Sequence, residues 1–225
     1  MSPCRDIGAA PPRSLTVAPR TVRMPVVLSA DRPTTSAATA LLVLGGLTWL
    51  PARWGVMTTW NGTWLGLDYA GWNRAMLVPL ALLTAGTVLA GRRQRRAIAI
   101  SWWAAATGFA LSWLGVALEF VLGGGLQGGP RDVAVAGWTI YLLGTAVTAF
   151  AALGLAAVLA RTDRAAAAAA GLAGAAILVW PVLLAAGLEA AAVVDQLVVG
   201  VLWAVVGVRP ALRPAPRVSP VRVPS

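Results

Sequence analysis

Glu119 lies inside a long apolar run, about residues 97–122. An ionisable side chain in such a run is costly in hydrocarbon and turns toward a bundle interior or a water-filled cavity. There a carboxylate can hold a cation, accept hydrogen bonds from a solute or lipid headgroup, or serve as the base of a lipid-modifying reaction. Its own helix favours this placement. Ser101, Gly108, Ser112, Gly115 and Glu119 are spaced 7, 4, 3 and 4 apart, which puts small and polar residues on one helical stripe leading to the acid. A structural alternative stands beside this one. The acid is about one turn from the outer end of its run, from which it can reach headgroups or pair with Arg131 or Arg74.

The next apolar run carries a matching stripe, Gly137, Tyr141, Gly144, Thr148 and Ala151, at spacings of 4, 3, 4 and 3. Two small-residue stripes on consecutive runs predict a close helix pair. If they face each other, Trp138 lies near the depth of Glu119 and Tyr141 follows a turn further in. The expected pocket is Glu119, Trp138, Tyr141 and Asp195, the last unless it merely begins the final helix. Trp54, Trp60, Trp64 and Trp72 crowd the segment 52–74 before the second run. They read either as an interfacial aromatic belt or as a lid over that pocket. Asn61-Gly62-Thr63 matches a glycosylation sequon, a short and unspecific pattern.

Much other chemistry is excluded. The chain has no His, and its one cysteine, Cys4, sits in a proline-bearing polar tail. Imidazole bases and His-ligated metals or haem are therefore out, a thiolate metal site is not expected, and no intrachain disulfide can form. No phosphate-binding glycine loop, hydrolase elbow or closely spaced carboxylate pair occurs. The expectation is no metal, no cofactor and no catalytic residue that sequence alone names.

The elements that must position these residues follow from composition. Hydrophobic residues make up 58% and charged ones only 12% of 225, with a mean hydropathy of +0.75, far from a soluble balance. Apolar runs fall at about 36–51, 75–91, 97–122, 133–160, 165–187 and 192–208, each near the roughly 20 residues a bilayer crossing needs. The fold expected is an all-α, polytopic transmembrane helix bundle of about six spans over 34–208. Residues 1–33 and 209–225, rich in Arg and Pro, are expected as disordered cytoplasmic tails. Nothing before Met24 reads as structural, so translation could begin there. A basic tail before a short apolar core also resembles a signal peptide, but no small-x-small cleavage site follows Trp49, so the first run is read as a retained span.

All eighteen basic residues are Arg, and the net charge is +10. Fifteen fall in the two tails and in the turns near 92–96 and 161–164, while only Arg53, Arg74 and Arg131 fall on the other side. By the positive-inside rule both ends are cytoplasmic. The same rule accounts for the charge without nucleic acid, which would need a basic face on a soluble element. Asp132, Asp163 and Glu189 read as helix-starting carboxylates. Small residues such as Ala170, Gly171 and Gly174 suit close packing, and Pro181 should kink the fifth span.

Six spans, both ends inside and a long first outer loop resemble, in outline, the substrate-binding subunits of energy-coupling-factor importers and the permease halves of ABC exporters; no motif of either is present. The functional expectation is a small transporter subunit or accessory component of the plasma membrane with an outward-facing polar pocket for a small solute, cation or lipid. An assembly protein acting through helix packing and its tails, toward a protein partner or a second copy, is the alternative, and an intramembrane lipid-modifying enzyme a third. All-Arg, Ala-rich usage points to a bacterium of high GC content.

Overall fold

A computed structural model describes residues 32–92, 94, 96–125 and 130–208, all within one compact unit, Asp31–Ser225. The expected tails lie outside the described residues, except that the first helix already takes in positions 32 and 33. Proline in a first helical turn costs nothing, because that N–H has no intrahelical partner anyway.

The described residues are helical apart from short turns and one isolated bridge. The helices are α1 (Arg32–Thr58), α2 (Tyr69–Ala75), α3 (Leu77–Gly91), α4 (Arg96–Val116) with a π-helical continuation (Ala117–Leu122), α5 (Arg131–Leu159), α6 (Arg164–Ala185) and α7 (Glu189–Val208). Ala, Leu and Val dominate them, and helices satisfy every backbone group within one segment, as a hydrocarbon surrounding demands. Among the described residues six stretches are long and apolar enough to cross a membrane: Ala37–Thr58, Tyr69–Gly91, Arg96–Leu122, Arg131–Leu159, Arg164–Ala185 and Glu189–Val208. This architecture is compatible with a multi-pass membrane protein.

The sequence reading ended the first run near 51, but α1 continues through Pro51 to Thr58. Proline removes only its own hydrogen bond there, and the buried stripe Leu42, Gly46, Trp49, Arg53, Val56 runs past it without a change of period. Arg53 and Trp54 therefore belong to a helix and not to a loop. The second span also begins earlier than expected, because α2 and α3 follow each other across Met76. Asp68 caps α2, its Oδ1 accepting from the Gly71 N–H at 2.7 Å. Between α1 and α2, Trp64 and Leu67 exchange backbone hydrogen bonds of 2.9 and 3.0 Å. The intervening Leu65 and Gly66 both have positive φ, 51° and 78°, the left-handed pair of a tight hairpin turn.

Each long helix packs on the next, and α1 also packs on α7, so the bundle closes on itself. The α4–α5 seam is the tightest. A Cβ on Gly115 would lie 2.4 Å from the Tyr141 backbone nitrogen, and one on Gly144 would lie 2.4 Å from that of Ser112. The two small-residue stripes face each other as their spacing predicts. At the end of the bundle near Gly91 and Arg96 the interior is filled. Trp203 is fully buried, with Phe109 edge-on at 5.1 Å and Trp102 at 6.4 Å.

Candidate functional site: a cavity at the other end

The opposite end of the bundle holds a cavity of about 690 Å³, within the range of small-molecule sites. α1, α2, α5, α6, α7 and the π-helical segment all contribute to its wall.

Glu119 lines it and is only 4% exposed. The α4–α5 seam sets its depth: a Cβ on Gly137 would sit 2.5 Å from the Glu119 nitrogen, so nothing larger than glycine lets the two backbones meet. The π-helical turn that carries Glu119 widens the helix locally, a distortion that recurs at functional sites. Arg74 does not pair with the acid. Its Nε donates to the Phe120 carbonyl at 2.9 Å, one of the carbonyls freed where the helix ends. Among the described residues no ion pair or hydrogen bond to the Glu119 side chain is found; Tyr69 is its electrostatic neighbour.

Trp138 and Tyr141 line the cavity as expected, their rings stacked at 5.7 Å with planes 22° apart. Asp195 does not line it. α7 begins at Glu189, so Asp195 lies well inside the helix and is no cap; its Oδ2 accepts from Gln196 Nε2 at 3.3 Å. Glu189, read as a helix-starting acid, stands in the first turn of α7 and also reaches the cavity. Asp163 does cap α6, accepting from the Ala166 N–H at 3.1 Å. Asp132 makes no such bond: the residue before α5 is Pro130, and the acid sits within the first turn.

The four tryptophans of the expected lid separate. Only Trp60 lines the cavity, edge-on to Tyr69 at 4.6 Å. Trp64 and Trp72 stack on each other at 4.8 Å, and the Trp72 indole N–H donates to the Trp64 carbonyl at 3.1 Å. A Cβ on Gly55 would meet the Trp72 ring, so this pair braces α2 against α1. Trp54 is 41% exposed on α1, away from the cavity wall.

Sequence reasoning missed Arg53, Trp180 and Asn73. Arg53, 4% exposed, lies against the Trp180 ring with its guanidinium carbon 4.8 Å from the centroid, a cation–π contact. Its Nη1 donates to the Tyr141 hydroxyl at 3.4 Å. The signal was present in the stripe from Leu42 to Val56, and ending the first run near 51 hid it. Below Tyr141, which lines both spaces, a second void of about 20 Å³ is edged by Ser112, Thr148 and Gln196, room for about one water. Beyond it lies the aromatic filling around Trp203.

No group of three or more metal-ligating side chains occurs among the described residues. No protein-family model, curated protein or solved structure matches the chain. Fold and site therefore define only a class, a helical bundle compatible with membrane spanning, open to a cavity at one end and filled at the other.

Proposed function

We propose that the protein is a multi-pass plasma-membrane component, a small transporter subunit or accessory protein, that binds a small ligand in the cavity around Glu119. The observation that carries this reading is a roughly 690 Å³ space holding a buried carboxylate and a buried guanidinium that do not pair with each other. Arg53 has an electrostatic neighbour in Asp195 but no ion pair with it, and two buried charges without an ion pair are costly to a purely structural bundle and useful to a binding site. The concentration of Arg in the tails and at the filled end supports an orientation in which that end faces the cytoplasm and the cavity faces outward. Charge of this kind is then drawn to lipid, not nucleic acid.

Glu119→Gln tests the reading. It keeps shape and removes charge, so the ligand retained by the purified protein, read by native mass spectrometry, should fall by about tenfold or more. Equal ligand content in the two proteins, or none in the wild type, rejects the site and favours an assembly role.

A further inference from the structure

We infer that the ligand is a zwitterion, with an anionic group held by Arg53 and Trp180 and an ammonium group turned to Glu119; this rests on the cavity being a binding site. Among the described residues Arg53 Nε and Nη2 are buried and have no hydrogen-bond partner, and neither has the indole Nε1 of Trp180. All three can only donate, and arginine does not escape its charge by losing a proton. Two neighbouring side chains on the wall of one cavity thus present donors with no acceptor. A carboxylate or phosphate oxygen completes them, and the guanidinium fork suits such a group. Trp180 covers one face of the guanidinium, Tyr141 takes one corner and Asp195 acts on it electrostatically, so a ligand oxygen reaches the buried Nε and Nη2 edge only as the wall around it gives way.

An anion alone would leave Glu119 uncompensated in the same cavity. Around that acid the wall offers Trp60, Tyr69 and Trp138, ring systems whose faces attract ammonium. A cation alone would leave Arg53 as it is. A molecule carrying both charges satisfies both ends, and the chemistry is shared by free amino acids, by phosphoethanolamine and by the headgroup of phosphatidylethanolamine.

The test uses the full chain, purified in detergent and stripped of lipid, with tryptophan fluorescence as readout. Phosphoethanolamine, L-alanine, inorganic phosphate and ethanolamine are titrated, and retention of phosphatidylethanolamine against phosphatidylglycerol is measured in nanodiscs by native mass spectrometry. At least one zwitterion should bind about tenfold more tightly than phosphate or ethanolamine. Arg53→Gln should remove that advantage, Arg53→Lys should restore part of it, and Trp180→Phe should weaken it a few-fold. Glu119→Gln should cost zwitterion affinity and leave phosphate affinity unchanged or higher. A response to the free zwitterions assigns a solute; selective retention of phosphatidylethanolamine without that response assigns a headgroup. Ethanolamine binding as tightly as every zwitterion, indifferent to Arg53→Gln, overturns the anion subsite and leaves a cation site. Silence toward all probes, with an unrelated ligand retained by the native protein, overturns the zwitterion alone; silence with nothing retained overturns the binding site too.

Discussion

The two ends of this bundle treat their hydroxyls alike and their buried nitrogen donors differently. At both ends threonines return their hydroxyls to their own helices: Thr59, toward the cavity end, donates to the Gly55 carbonyl at 2.7 Å, and Thr87, toward the filled end, to that of Leu83 at 2.7 Å. A single donor there, the Trp203 indole N–H, lacks a partner among the described residues. Toward the cavity, three donor atoms of Arg53 and Trp180 lack one among the described residues, and the Glu119 carboxyl lines the same cavity without an ion pair. Buried polar groups left open cost about 1–3 kcal/mol each, more when charged. A fold that breaks this rule once at one end and three times at the other has its special demand at the second.

The contrast can be broken most sharply at the filled end. Trp203→Ala should destabilise the protein by about 3–5 kcal/mol, because a fully buried indole leaves a void that its neighbours cannot close; thermal unfolding in detergent measures it. A loss below about 1 kcal/mol would mean that this end is loosely packed and the comparison is empty. The seam is next. Gly137→Ala forces a methyl to within 2.5 Å of the Glu119 backbone, where only helix displacement relieves the clash, at about 1–3 kcal/mol. Gly171→Ala is the control, since its new methyl meets only the Ala156 Cβ at 3.4 Å, and it should change stability by less than about 0.5 kcal/mol.

These positions show what the sequence makes legible. The α4–α5 pair was readable because glycine spacing is local and its meaning in lipid is nearly unique, so Glu119, Trp138 and Tyr141 fell into place together. Six apolar runs were readable from hydropathy alone. Arg53 was not, because a proline two residues earlier and a charge in a Trp-rich segment are together the ordinary signature of a loop. Asp195 is a related case: its helix begins six residues before it, which sets it off the cavity wall yet within electrostatic reach of Arg53, and helix starts in Ala-rich sequence carry little local signal. Trp180 could not be told from any lipid-facing tryptophan until the ring closed and α6 met α1. Side chains that converge from distant spans have no short-range pattern to betray them.

Arg53→Met gives the comparison its clearest signature, because stability and function should move apart. It removes a buried charge whose electrostatic carboxylate neighbour, Asp195, forms no ion pair with it, so the ligand-free protein should keep its stability or gain up to about 1 kcal/mol. Ligand retention should collapse in the same variant. A loss of stability would show instead that the guanidinium holds α1 to α5 and α6 through Tyr141 and Trp180, and the two ends would differ only in shape.

The smallest effect concerns the rim. Asp68 caps α2, the short helix that carries Tyr69 and Asn73 to the cavity wall. Asp68→Ala removes one capping bond, worth about 1 kcal/mol, and Asp68→Asn should restore most of it. The loss falls on a segment also braced by the Trp64–Trp72 stack and by Arg74 on the Phe120 carbonyl, so it should loosen the rim without unfolding the bundle. Hydrogen exchange should therefore quicken over 64–76 in the alanine variant and stay unchanged around Trp203. If exchange quickened equally at both ends, cavity and filling would be one cooperative unit, and the rim could not move on its own to admit a ligand.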